Sequence, residues 1–463
     1  MLATDGVDDI ARELNATSPT VRARTRVGRA ILADLMSTEA VSPPAGAAVP
    51  AAPPAGFTSY QKTVVAILAF LQFTIILDFM IISPLGALLL RDLHIPTKKF
   101  GLVVSVYAFS AALAGILSAG FADKFDRKRL LMFFYTGFIG GTLFCGLAPT
   151  YELLVVARVV TGLFGGVIGS IVMAIIADLF PLSMRGRVMG IVQTAFAASQ
   201  VLGLPLGFSL ANHFGWHAPF LLIVGFGVVA GVFMVARLQP IDAHLKLQRD
   251  GSAFSHLWRA VSNREYIGAF VTTMFMATGG FMLMPFGSTY TINNIKVSPD
   301  SMSLIYFLVG VSTLIAGPLL GRLSDRLGKY ATFAVGTALT VVMVFIYTHL
   351  GPTPLPLVVA VNSLMFIGVT CRMIAGSALM SAVPEAANRG AFMSINASLS
   401  QAAGGVGAAV AGLIVVQQPS GALARYDILG YVVAATMVLV VVMLKPIDRM
   451  IAARASASGA PRG

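Results

Sequence analysis

The chain is short of charge. Only 11% of its 463 residues are Asp, Glu, Lys or Arg, whereas soluble domains carry about 25%. That shortage argues against a soluble globular protein, and a 57% hydrophobic content with mean hydropathy +0.83 points to a membrane. Cysteine is nearly absent. Cys145 and Cys371 both fall inside long apolar runs, so neither a structural disulfide nor a metal site is expected. The six histidines are scattered, and neither H-E-x-x-H nor G-x-x-x-x-G-K-[ST] occurs. The missing G-x-x-x-x-G-K-[ST] removes a P-loop ATPase. A membrane-embedded enzyme or sensor would need a converging nucleophile–base set or a metal cluster, and none is visible. No catalytic residue, metal or cofactor is expected.

What the sequence does have is long apolar runs. The stretch 63–90 (TVVAILAFLQFTIILDFMIISPLGALLL) carries one charge, Asp78, and exceeds the roughly 20 residues that cross hydrocarbon. The pattern predicts an all-α polytopic membrane protein with helices at about 63–90, 100–121, 130–148, 152–177, 188–211 and 217–236. A second set follows at about 266–290, 301–320, 331–349, 355–381, 391–416 and 427–445. Only helices or closed barrels satisfy the backbone in lipid, and barrels would show short alternating segments instead.

With the N-terminus inside, the loops on that side carry 15 Lys and Arg and the opposite loops carry 5. The excess predicts both termini in the cytoplasm. It also accounts for the net charge of +12 without nucleic acid as a partner. The longest internal loop splits the chain six helices to six. The expected organisation is a disordered tail at 1–60, a bundle at 61–236, a cytoplasmic linker at 237–265, a second bundle at 266–446 and a cytoplasmic tail at 447–463. Within the first tail, PPAGAAVPAAPPAG (43–56) is expected to be disordered. Five arginines between Arg12 and Arg29 fit either a basic amphipathic helix on the inner leaflet or an unstructured tail. A start at Met36 is the alternative.

Residues 120–129, GFADKFDRKR, place six charges in ten positions, and GRLSDRLGKY (321–330) is a looser copy. Asp123 and Asp325 follow the second helix of each half, which predicts two structural repeats with a site between them near the midplane. GFADKFDRKR resembles the loop 2–3 signature of the major facilitator superfamily, G-x-L-A-D-[RK]-x-G-R-[RK], through Gly120, Ala122, Asp123, Lys124, Arg127 and Lys128. The second copy keeps Gly321, Asp325, Arg326 and Gly328. Asp126 stands where the family usually has Gly, and the resemblance offers no role for it. Three segments resemble the twelve-helix drug:proton antiporter branch. They are ARVVTGLFGG with Arg158 and Gly162, GLPLG with Gly203, Pro205 and Gly207, and ILDFMIISPLG with its acidic Asp78. The resemblance implies the twelve-helix, two-repeat fold and secondary transport. It also implies a cytoplasmic latch of Asp123, Arg127 and Asp178 near the start of helix 11, with Gly120, Asp325 and Gly328 shaping the two turns. Lys124, Lys128 and Arg129 need no more than a topological role.

An ionisable residue within a span suggests function. Asp78 lies roughly 22 Å along helix 1, and Arg158 lies roughly 9 Å in from the other end of helix 4. In a core about 30 Å thick the two depths agree. The cation holds the carboxylate ionised while apolar surroundings favour its protonated form, and a carboxyl held between the two is what proton coupling needs. The pair is expected to be either proton carrier and gating partner, or a permanent link between helices 1 and 4.

Arg372, in CRMIAG of helix 10, has no carboxylate within the second-half spans. It reaches Asp78, meets an anionic substrate group, or snorkels to the interface. Helix 7 (FVTTMFMATGGFMLMPFGSTY) mixes Met, Phe and Gly. Flexible Met side chains suit varied apolar ligands, and Gly279, Gly280 and Pro285 are expected to bend the helix. Met274, Met276 and Phe281, with Arg372 and Asn362, form the expected substrate cavity. The sequence thus supports proton-coupled export of small amphipathic or hydrophobic molecules across the inner membrane by a monomer. Uptake of a sugar or organic acid on the same fold is the alternative.

Overall fold

A computed structural model describes residues 56–118, 121–242, 245, 262–385 and 389–457, without the side chains of Asp123, Leu182, Ser183, Arg264, Ala455, Ser456 and Ala457. The N-terminal tail call, Gly120 and most of the 237–265 linker lie outside these residues. Among the described residues, twelve helices are long and apolar enough to cross a membrane. They are α1 Ser59–Ile81, α2 Thr97–Ser118, α3 Arg127–Leu147, α4 Tyr151–Leu179, α5 Met184–Phe214 and α6 Ala218–Arg237. The second half has α7 Glu265–Asn293, α8 Pro299–Leu327, α9 Lys329–Thr348, α10 Leu355–Ala382, α11 Arg389–Ile414 and α12 Tyr426–Arg454.

Local chemistry sets the ends. Thr58 and Gln61 form a capping box before α1, and Thr150 caps α4 through the Leu153 amide. Gly328, at φ +85°, turns the chain between α8 and α9. Arg185 donates to the carbonyls of Ala177 and Phe180, capping the last turn of α4.

Three elements differ from the sequence expectation. Helix 1, expected unbroken to residue 90, stops at Ile81 and resumes as a short helix, Gly86–Asp92. Pro84 has no N–H to continue the ladder, which hydropathy does not register. Helix 8 runs on to Leu327, so Asp325 sits in its last turn rather than in the following loop. The final helix continues through Pro446 to Ala457.

Packing repeats between the halves. In the first, α4 packs on α2 and α3, while α1 packs on α5 and α6; in the second, α10 packs on α8 and α9, while α7 packs on α11 and α12. The halves meet along two seams, α2 with α11 and α5 with α8. The end of the bundle bearing Ser59 and Arg454 is called terminal here and the opposite end distal. Hydrogen bonds between halves cluster from mid-depth to the distal end. Thr97 donates to the Val415 carbonyl, Asn212 to that of Pro299, and Ser303 to that of Pro205. The break in α1 meets a matching break in α7, where Met284–Phe286 forms a 3-10 turn around Pro285. Ser83 donates to the Met284 carbonyl, and Ser288 donates to the Ser83 carbonyl at 2.9 Å. Carbonyls released by the broken ladders thus find partners across the seam. The helix 7 bend expected from its Gly and Pro residues is this turn.

Candidate functional site

Asp78 and Arg158 are fully buried, and their side chains meet at 2.9 Å between Oδ2 and Nη1. The same nitrogen lies 3.4 Å from the Asp78 carbonyl oxygen. The other carboxylate oxygen accepts from Thr142 of α3 at 3.1 Å. The Arg158 guanidinium stacks over the Tyr107 ring of α2, 4.3 Å from its centroid. One carboxylate therefore draws on α1, α3 and α4, while α2 covers the cation's face. Nε and Nη2 of Arg158 have no hydrogen-bond partner among the described residues. A buried charge is stable only when paired, and among the described residues Asp78 is the single anion holding this guanidinium.

Small residues let the helices come this close. A Cβ on Gly162 would lie 2.5 Å from the Tyr107 carbonyl oxygen, and one on Gly166 would lie 2.5 Å from Ala111 Cα. On the other side of α4, a Cβ on Gly141 would lie 2.9 Å from the Thr161 amide nitrogen. Gly162 of the R-x-x-x-G arrangement is therefore the seat of α2 on α4. The GLPLG element seats α1. Cβ atoms on Gly203 and Gly207 would each lie 2.6 Å from the side chains of Leu77 and Ile81, which flank Asp78. Just before it, Ser199–Gly203 forms a π-helical turn in α5. Pro205 cannot donate to the preceding turn, and its own carbonyl accepts from Ser303 of α8.

A chain of aromatic contacts runs from this centre to the second half. Tyr107 lies 5.5 Å from Phe79, and Phe79 lies 5.6 Å from Phe281 of α7. Phe281 fills the space a side chain on Gly404 of α11 would take. Tyr107, Thr142 and Phe79 had not been singled out in the sequence. Depth was the available signal, since Thr142 and Arg158 both lie roughly 8–10 Å from the distal ends of their helices. A threonine or tyrosine in a span is too common to stand out on its own.

The residues expected in the substrate cavity do not form one lining. Met274 and Met276 are two positions apart, so about 200° of helix rotation separates them. Met274 is exposed, Met276 meets Gly376 of α10, and Phe281 sits at the seam. Asn362 is buried, and its side chain donates to the Val358 carbonyl at 2.9 Å. Arg372 is buried as well and lies over Phe333 of α9. It makes no contact with Asp78, whose partner is Arg158.

Of the latch residues, buried Arg127 binds Asp178 at 3.1 Å and the Ala122 carbonyl at 3.0 Å. Asp325 instead pairs with Lys329, the first residue of α9, at 2.5 Å and is well exposed. Asp126 has a clear task. It caps α3 through the Arg129 amide at 2.8 Å, and its second oxygen accepts from the Ile241 amide at 2.6 Å. The Arg127 amide returns a bond to the Ile241 carbonyl. The segment after α6 is thereby fastened to the turn before α3.

The sequence profile of the Major Facilitator Superfamily matches residues 68–293 and again 269–460. The chain belongs to that superfamily. It is a multi-pass membrane transporter and not an enzyme. It is similar to the uncharacterized MFS-type transporters YceJ and YtbD of Bacillus subtilis (strain 168), each 26% identical over 269 residues. The matches take in 58% and 57% of this chain and 68% and 66% of the two relatives, so the chain spans about two thirds of their length. Among solved structures, it resembles a bacterial homolog of the human lysosomal transporter Spinster in an inward-facing conformation. The TM-score is 0.62 at 15% identity, over 86% of this chain and 97% of that one. The nucleoside transporter NupG gives a TM-score of 0.67 at 14% identity, over 83% and 99% of the two chains. At such identities the likeness speaks for the fold alone. Among the described residues of this superfamily member, no group of three His, Cys, Asp or Glu side chains could hold a metal.

Proposed function

We propose that the chain is a proton-coupled secondary transporter that exports small amphipathic or hydrophobic molecules by alternating access. The observation that carries this reading is the fully buried Asp78–Arg158 pair, 2.9 Å apart, on two helices of the first half. A permanent structural link would serve better with every guanidinium nitrogen satisfied. Here two of them lack partners among the described residues, and a proton on Asp78 would discharge the carboxylate that holds the guanidinium. The freed Arg158 would then shift against Tyr107, and the ring chain through Phe79 to Phe281 connects that shift with α7.

The Lys and Arg excess supports a cytoplasmic terminal end. Arg127 and Asp178, joined by Asp123, form the latch of the outward-open state. The transporter works as a monomer in the inner membrane, with residues 237–265 as its cytoplasmic linker.

Reconstituted vesicles test the reading. With a pH gradient imposed, the wild type accumulates a drug-like amphiphile against its own gradient, and Asp78→Asn does not. Gradient-driven accumulation by a folded Asp78→Asn protein would rule the carrier out.

A further inference from the structure

In the first half, α1 and α4 belong to different helix groups, and Arg158 bridges them by reaching Asp78. In the second half, α7 and α10 occupy the corresponding places. Gly376, one turn further along α10, faces Met276 of α7, and a Cβ there would lie 3.0 Å from Met276 Sδ and 3.3 Å from the Phe333 ring. Among the described residues no carboxylate meets the cation. Arg372 is 5% exposed, with its Cζ 5.3 Å from the Phe333 ring centroid. Its Nε is buried without a partner, and no ion pair or hydrogen bond reaches its guanidinium among the described residues.

Arginine stays protonated in proteins, so this is a standing charge with its fork unfilled. A ring face offsets only a small part of the cost of burial. Arg372 is also enclosed by protein rather than lying at the helix end, so its head group does not snorkel to the interface. An unpaired buried fork of this kind fits an anion that comes and goes.

We infer that Arg372 anchors the anionic head group of the transported substrate, a carboxylate, sulfonate or phosphate on an apolar body. The planar fork suits two-point binding of such groups. Met276 and Phe333 supply adaptable apolar surface beside it. The inference rests on the transport reading and narrows its substrate class to anionic amphiphiles. It does not depend on proton coupling.

Thermal unfolding of the purified full chain in neutral detergent tests it. The probes share one ring system: naphthalene-2-sulfonate, 2-naphthalenemethanol and 2-naphthyltrimethylammonium. Only the sulfonate is expected to raise the melting temperature. Arg372→Gln should bind it about ten- to a hundredfold more weakly, while melting no lower than wild type without ligand. Arg372→Lys keeps the charge without the fork and should fall between the two. Equal shifts from sulfonate and cation, or unchanged sulfonate binding by Arg372→Gln, would overturn the inference. So would a shift seen with phosphatidylglycerol in mixed micelles and absent with the sulfonate, which would make the site a lipid site. A sulfonate shift in a protein without proton-driven transport would leave this inference standing and remove the coupling. Proton-driven transport of cations alone would do the reverse.

Discussion

Phe79 and Phe281 meet edge to face, their centroids 5.6 Å apart, one residue beyond the buried carboxylate of Asp78. An aromatic pair of this kind contributes about 0.5–1.5 kcal/mol beyond its buried area, and here it spans the two halves. If it carries motion from the charged pair to α7, Phe79→Ala will uncouple the two. Proton binding at Asp78 should persist while substrate transport falls at least about tenfold, a loss of about 1.4 kcal/mol. Parallel proton and substrate assays on that variant check this.

The seat of α2 on α4 allows a sharp contrast. Gly162→Ala puts a methyl 2.5 Å from the Tyr107 carbonyl oxygen, whereas a Cβ on Gly169 meets nothing within 4 Å. Overpacking of this kind costs about 1–3 kcal/mol. Gly162→Ala should lower the melting temperature, and Gly169→Ala should leave it unchanged or raise it slightly, because Ala favours the helix.

At the distal seam, a Cβ on Gly101 would lie 2.9 Å from the Ala408 carbonyl oxygen, and one on Gly412 would lie 3.0 Å from that of Thr97. Gly101→Val should wedge α2 from α11 and favour the conformation open at this end. Spin labels on the exposed His94→Cys and Ser420→Cys positions should report a longer distance in the Gly101→Val background.

Asp126→Ala removes an N-cap and the clamp on Ile241 together. Loss of a cap costs about 1 kcal/mol. Limited proteolysis near 239–242 should speed up, while Asp126→Asn, which keeps an acceptor for the Arg129 amide, should be cut at an intermediate rate.

How much of this was legible beforehand depended on contrast with the surroundings. Asp78 and Arg158 stood out because an apolar run tolerates few charges, and their depths along antiparallel helices brought them together on paper. Thr142 and Tyr107 did not stand out, since both are ordinary in a span and only the fold shows them converging. The break at Ile82–Leu85 was hidden because hydropathy stays high through Pro84. The two methionines of helix 7 were grouped by composition, although helical rotation sends them to opposite faces. Asp126 had no account from family likeness. Its two bonds, one along α3 and one to a segment 115 residues away, explain it.

The central claim is that Asp78 exchanges its bond to Arg158 for a proton. The double variant Asp78→Asn/Arg158→Gln tests it most directly. Removing one partner of a buried pair costs about 3–5 kcal/mol, but neutralising both avoids a stranded charge. The double variant should therefore melt closer to wild type than either single variant. Substrate-triggered proton release, read in detergent with a pH indicator, is the deciding measurement. The account predicts release from the wild type and none from the stable double variant. Release of equal size from both would contradict it and leave Asp78 and Arg158 as a structural link.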